Sequence, residues 1–271
     1  MAAGPTASEQ PGPLILERIA EARRRARFLY RGQFAATWLV LVGGLGAFLW
    51  ASGNINPAFI ATWGPFILDG ARTTVLVCVV SITFATMLAV VGALGRLSRY
   101  PVINGTASLY VSLVRGTPLL VQIYFAYLAL AEVGIVLPVL VAGIGALAFN
   151  YGAYMTEVFR AGIQAVPSGQ REAAEALGMP EGLIMRRIVM PQAIRIVIPA
   201  IGNEFIAMIK DSSLVSIIAV QELLWRAQSA GRRNIAILEA LLIAAAIYWL
   251  LTMIFSFFQH RLERRMARGD R

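Results

Sequence analysis

An uncharged run, FAATWLVLVGGLGAFLWA at 34–51, is followed by a second, TTVLVCVVSITFATMLAVVGAL at 73–94. Each is close to the roughly 20 residues an α-helix needs to cross the hydrocarbon of a bilayer, so both are expected to be spanning helices. A third apolar segment begins near Thr106 and ends near Ala131. A fourth, VGIVLPVLVAGIGALAFNYGAYMT at 133–156, holds no charge, and its Pro138 is placed to start or kink a helix. Two further segments, about 196–218 and about 235–258, are apolar but carry Glu204, Lys210 and Asp211 in the first and Glu239 in the second. With 58% hydrophobic and only 14% charged residues and a mean hydropathy of +0.68, the chain is an integral membrane protein. The expected fold is all-α, with about six transmembrane helices.

The net charge of +9 would suggest nucleic acid in a soluble chain, but these arginines cluster at the ends of apolar runs, so no nucleic-acid partner is expected. If six helices alternate from a cytoplasmic amino terminus, the inside segments collect Arg18, Arg23, Arg24, Arg25, Arg27, Arg31, Arg96, Arg99, Arg160, Arg171, Arg186, Arg187, Arg195 and the carboxy-terminal arginines. The outside segments collect Arg72, Arg226, Arg232 and Arg233. That asymmetry puts both termini in the cytoplasm, with the bilayer as the solvent for the rest.

Residues 1–13, rich in Pro, Gly and Ala, read as disordered. In LILERIAEARRRARFLYR at 14–31, apolar residues recur at helical spacing opposite arginines. This suits either a helix lying on an anionic inner leaflet or a basic flank that sets topology. The run at 34–51 reads as a retained anchor, since about 33 residues precede it and no small-residue cleavage pattern follows.

Between the apolar runs lies EAAEALGMPEGLIMRRIVMP at 172–191. Ser168 stands where a hydroxyl could cap a helix through QREAAEAL, and Gly178 supplies its stop. Pro180 is preorganised to begin another helix, and Pro191 disfavours simple continuation. Two short helices joined by a turn are expected. Ala173, Ala176 and Leu177 give the first a shallow apolar face, opposite Arg171, Glu172 and Glu175, suited to a groove on a soluble partner.

The spacing Glu-Ala-Ala, three residues, Gly, nine residues, Ile-x-Met-Pro uses Glu172, Ala173, Ala174, Gly178, Ile188, Met190 and Pro191. It resembles the EAA loop of binding-protein-dependent ABC importer permeases, with Met190 where leucine is usual. RGTPLLVQIYF at 115–125, NYGAYMTEVFRAGIQAVPSGQREAA at 150–174, PQAIRIVIPAIGNEF at 191–205 and IKDSSLVSIIAVQEL at 209–223 resemble the polar amino acid branch of the same family. The resemblance covers about residues 66–260. It implies a five-helix permease domain there, with the coupling loop at about 165–191. Around it lie a cytoplasmic tail at 1–33, an additional transmembrane helix at 34–51 and a basic tail at 261–271. The implied setting is the bacterial inner membrane, and the implied partners are two cytoplasmic ATPase subunits, a second permease subunit, identical or paralogous, and an extracytoplasmic amino acid-binding protein. Glu172, Ala173, Ala174, Leu177 and Gly178 would couple to the ATPase.

A phosphate-cradling loop of the form G-x-x-x-x-G-K-[ST] requires a lysine, and Lys210, the one lysine, is flanked by AMI and DSS. The chain therefore carries no such nucleotide site; ATP and magnesium would belong to the partner. The alternative is a gradient-driven transporter or channel subunit. Enzyme chemistry is disfavoured: His260, the sole histidine, sits in a basic flank, and Cys78, the sole cysteine, permits neither an internal disulfide nor a cysteine metal cluster.

Charges inside a span cost about 2.5–3.5 kcal/mol each at the helix centre, so Glu204, Lys210 and Asp211 should face protein or water. Asn203 and Lys210, like Glu204 and Asp211, are seven apart and are expected on one side of a helix with Ala207. Pro199 and the DSS at 211–213 suggest a helix break there, whose half-helix amino terminus would face a substrate carboxylate. Asn203, Glu204, Lys210, Asp211, Ser212, Ser213 and Glu157 are thus the substrate-path candidates, against the reading that Lys210 and Asp211 only pair. Arg115, Thr117 and Gln122 read as a helix-entry motif.

Overall fold

Apolar segments that must satisfy their own backbone inside hydrocarbon wind into helices. The computed structural model describes residues 13–51 and 56–266, nearly all of them helical. The tail expected at 1–13 lies outside these residues except for Pro13, as do Arg268 and Arg271. The chain divides into two compact units, Met1–Asn56 and Pro57–Arg271.

In the first unit one helix, α1 (Pro13–Ala51), runs through the basic stretch and the first apolar run without interruption. Tyr30, Phe34 and Trp38 stack along it at four-residue spacing, with ring centroids 6.3 and 6.1 Å apart.

The second unit comprises α2 (Pro57–Arg96), α3 (Pro101–Arg115), α4 (Leu119–Glu132), α5 (Val139–Gln164), α6 (Ser168–Ala176), α7 (Glu181–Ile218), α8 (Leu223–Asn234) and α9 (Ile237–Met266). Of the described helices, α2, α5, α7 and α9 are long and apolar enough to cross a membrane. The pair α3 and α4, bent by 106°, makes a fifth span if taken together. The third apolar segment is therefore broken rather than straight, because Pro118 takes an extended conformation before α4. Pro138 starts α5 instead of kinking it.

The segment after Gly178 departs furthest from expectation. Instead of a short helix that stops, residues 181–211 form one continuous helix with a π-turn at Met185–Val189 just before Pro191. Pro191 has no N–H to return to the preceding turn, and the wider π-turn lets the chain pass it without breaking.

The core sits between α2 and α5. Ser81, Ala85, Ala89 and Gly92 of α2 are buried, as are Ala146, Gly152, Ala153 and Thr156 of α5. Small residues allow the two backbones to approach closely, the usual basis of helix association in lipid. At Gly152 a Cβ would lie 2.8 Å from the Tyr110 hydroxyl and 3.0 Å from Leu88 Cβ, so no larger residue fits. Ile123, Leu147, Met155, Met208, Ile209 and Val215 fill the space where α4, α5 and α7 meet this seam.

A second cluster, Phe59, Ile67, Leu223, Ala227, Ala240 and Ala244, seats α8 between α2 and α9. At its centre Glu222 is fully buried and caps α8, accepting from the Trp225 amide at 2.8 Å. The hydroxyls of Tyr248 and Thr74 donate to its other oxygen. Burial pushes this carboxyl above the ordinary carboxylate range, and those hydrogen bonds oppose the shift. Glu222→Ala removes a helix cap and takes the acceptor from the Tyr248 hydroxyl, which should cost about 2–4 kcal/mol. The expected result is a clearly lower melting temperature of the detergent-solubilised protein, with Arg72→Ala, at an exposed pair, nearly unchanged as a control.

Candidate functional site

The elbow between α3 and α4 is built by RGTPLLVQ. α3 ends at Arg115 with Gly116 as its cap, and Pro118 leads into α4. The last carbonyls of a helix need donors. Gln122 provides them, its side-chain amide donating to the Val114 carbonyl at 2.8 Å and the Thr117 carbonyl at 3.1 Å. Asn150 of α5 in turn donates to the Gln122 side-chain oxygen at 3.1 Å. The elbow is thus fixed to α5, and the direction of Arg115 with it.

Beside the elbow opens a cleft of about 590 Å³, lined by Arg115, Thr117, Asn150, Tyr151, Tyr154, Glu204, Ala207 and Asp211 among others. The Arg115 guanidinium sits 5.2 Å from the centre of the Tyr154 ring. The Tyr151 hydroxyl donates to an Asp211 carboxylate oxygen at 2.8 Å. One wall is therefore cationic and aromatic, and the other carries two carboxylates on one stripe of α7. Such a cleft offers complementary charge to a molecule bearing both an anionic and a cationic group.

Of the residues singled out on α7, Glu204 and Asp211 are in the cleft; Asn203 and Lys210 are exposed and do not line it. A helix turns by about 100° per residue, so positions 203 and 210 sit one step around from the stripe that the cleft uses. Ser212 is fully buried, and its hydroxyl donates to the Ile209 carbonyl at 2.8 Å. Ser213 lines a different cleft, with Leu120 and Trp225. The expected change near 211–213 is present as a switch from α-helix to the 3₁₀ turns Ser212–Ile218, closed by Ala219 at φ +66°. No half-helix begins there. The next amino terminus belongs to α8, and the Glu222 carboxylate already occupies it.

Glu157 also lies outside the cleft. It accepts from Arg96 at 3.1 Å and from Arg160 at 2.7 Å, while Arg96 also donates to Ser108. This charge cluster ties α2, α3 and α5 together. Arg115, Asn150, Tyr151 and Tyr154 line the cleft but are not among the substrate-path candidates of the sequence. The available signal was NYGAY, whose Asn150, Tyr151 and Tyr154 interrupt an otherwise plain apolar run at helical spacing.

The 165–191 loop has a separate geometry. Ser168 is the first residue of α6 rather than its cap, a position held by Pro167 without a side-chain hydrogen bond. α6 ends on Gly178 at φ +73°, with Gly178 N–H donating to the Glu175 carbonyl at 2.9 Å and Met179 N–H to the Ala174 carbonyl at 3.1 Å. This reciprocal pair closes a Schellman motif, which only a residue tolerant of the left-handed region completes without strain. Ala174 is 3% exposed and packs with Ile184 and Val189, whereas Leu177 is 82% exposed. Glu172 and Ala173 are also exposed. The loop is therefore a knob anchored through Ala174 and bared at Leu177. Gln192 donates to Gln170, and Arg99 pairs with Glu181 at 3.5 Å, adding ties to α7 and to the α2–α3 joint.

The family described as the inner-membrane component of binding-protein-dependent transport systems matches residues 81–268. The L-cystine transport system permease protein TcyB of Bacillus subtilis (strain 168) is 39% identical over 205 residues, covering 75% of this chain and 88% of that protein. The arginine transport system permease protein ArtQ of the same organism is 38% identical over 207 residues, covering 76% and 94%. Among solved structures, an amino acid ABC transporter crystallised with histidines matches with a TM-score of 0.75 and 38% identity, covering 78% of this chain and 99% of that one. The methionine transporter MetNI, at 18% identity, matches with a TM-score of 0.63 over the same shares, which extends the likeness of fold alone.

Proposed function

Because the chain belongs to the family of inner-membrane components of binding-protein-dependent transport systems, we propose that it forms the path by which an ABC importer carries a polar amino acid, or a close derivative, inward. The chain is a multi-pass membrane transport subunit and not an enzyme, and membership decides against the gradient-driven alternative. Energy comes from ATP, bound with magnesium by a separate ATPase. An extracytoplasmic binding protein captures the solute.

The finer assembly follows from the same reading. Two permease subunits, identical or paralogous, enclose the path above two ATPase subunits. α1 supplies a sixth span, and both termini lie in the cytoplasm, as the arginine distribution supports. The permease domain takes in about residues 66–260. The knob carrying Glu172, Ala173, Ala174, Leu177 and Gly178 docks on the ATPase, a role its exposed Leu177 on a rigid, anchored turn supports.

The observation that carries the substrate reading is the cleft that sets Arg115 against Glu204 and Asp211. An α-amino acid carries a carboxylate and an ammonium, and this cleft offers a partner to each. The test is uptake by the reconstituted transporter with its ATPase and binding protein. Arg115→Gln, Glu204→Gln and Asp211→Asn each remove one charged partner and should raise KM by roughly tenfold or more, while Lys210→Ala leaves it near wild type. Unchanged KM in all three would remove the cleft from the path.

Coupling has its own readout. The Leu177 side chain is largely bare to solvent, so Leu177→Asp should leave membrane insertion and melting nearly as they are, while uptake falls roughly tenfold or more and ATP hydrolysis no longer follows substrate delivery. Glu172→Lys should act in the same direction. Normal coupled uptake in both would exclude the knob as the ATPase contact.

A further inference from the structure

A different face of α7 from the one bearing Glu204 and Asp211 opens onto a second cleft, of about 540 Å³, shared with α2 and α9. Ile82, Phe205, Phe255 and Phe258 give it apolar walls, and Arg261 and Arg265 stand at one end. Gln259 lines it as well, but its amide is committed to the Pro199 carbonyl at 2.7 Å and to Glu263 at 3.0 Å. Glu263, the nearby carboxylate, also faces His260 at 3.5 Å. Among the described residues neither arginine has a carboxylate partner; Arg261 only lies over the Phe257 ring at 4.7 Å. The bond from Gln259 to Pro199 fixes the level of this end. Phe205 also meets Phe255, with ring centroids 5.0 Å apart, so α9 runs antiparallel to α7. Arg261 and Arg265 therefore lie beside the residues of α7 that precede Pro199, on the side of the Ala174 knob, where a bilayer would have its headgroups.

We propose that this cleft binds one anionic phospholipid of that leaflet, its acyl chains between Phe205 and Phe258 and its phosphate between Arg261 and Arg265. Free phosphate gains nothing from apolar walls, and a neutral lipid leaves two guanidiniums without a net counter-charge. An anionic lipid meets both surfaces at once. Arginine forks match phosphate oxygens in pairs, and basic pockets between spanning helices on the cytoplasmic side suit anionic headgroups. A lipid seated there bridges α7 and α9 on the side of α7 away from the charged cleft.

The experiment uses the assembled transporter with its ATPase, delipidated in detergent, and measures retained lipid by native mass spectrometry. Phosphatidylglycerol and phosphatidylcholine of identical chains are the probes. Phosphatidylglycerol should be retained at one per copy of this chain in preference to phosphatidylcholine. Neutralising both arginines, as Arg261→Gln with Arg265→Gln, should weaken retention roughly thirtyfold. Arg264→Gln removes a cation from the same helix end without lining the cleft and should change retention less than about twofold at physiological salt. Ile206→Trp fills the cleft without altering charge and should also expel the lipid. Equal retention of the two lipids would overturn the proposal, as would an Arg264→Gln loss as large as the double variant's, which would mark a diffuse basic belt. Full retention by the double variant or by Ile206→Trp would overturn it too.

Discussion

Helices already inside hydrocarbon gain nothing further from leaving water, so they associate only as closely as their side chains let the backbones approach. The seam between α2 and α5 answers that constraint with Ser81, Ala85, Ala89 and Gly92 on one side and Ala146, Gly152 and Ala153 on the other. The cleft beside the elbow is referenced to it. Asn150, Tyr151 and Tyr154 belong to the same two turns of α5 as Gly152, so the close contact at Gly152 fixes where the aromatic wall of the cleft stands. Asn150 then holds Gln122, and Gln122 holds the elbow that aims Arg115.

How much of this the sequence disclosed depended on whether one helix or two decided the matter. The apolar runs at 73–94 and 133–156 announce spanning helices because a bilayer permits little else over such a length. Gly178 announces the end of α6 because so few residues accept a positive φ. The 106° bend at 116–118 was less visible, since RGTP ends one helix and starts another without saying at what angle. The angle is set by Gln122 and Asn150, residues on separate helices whose pairing is invisible in one dimension. The passage of the helix through Pro191 is hidden for a similar reason. A proline rule written for an ideal α-helix has no place for the π-turn that absorbs it.

The charged residues show the same division. Glu157, Glu204 and Asp211 look alike as acids within apolar sequence, yet Glu157 is bound by two arginines and spoken for, while Glu204 and Asp211 share a cleft with Arg115. Hydropathy registers only that an acid is costly in a span. Whether the compensation is another side chain, as at Glu157, or space left for a charged visitor, depends on what other helices bring to the same depth. Lys210 illustrates the complementary case. It neighbours Asp211 in sequence, but one residue of helical rotation takes it out of the cleft.

The continuity of α7 bears on how a push at the knob would reach the cleft. From Glu181 to Glu204 the helix advances roughly 35 Å at about 1.5 Å per residue, with no unwound residue between. Ala174 packs against Ile184 and Val189, the first turns of that same helix. A displacement of α6 therefore bears directly on the element that carries Glu204 and Asp211. The opposing wall, with Arg115 and Tyr154, belongs to the elbow and α5, which are tied to each other by Asn150 and Gln122. Relative movement of the two walls would alter the distance between the guanidinium and the carboxylates, and with it the fit of a doubly charged solute. Had residues 179–191 formed the separate short helix that the prolines suggested, the knob could have swung on a hinge without moving the cleft at all. A lever of this kind requires the unbroken winding that the π-turn preserves.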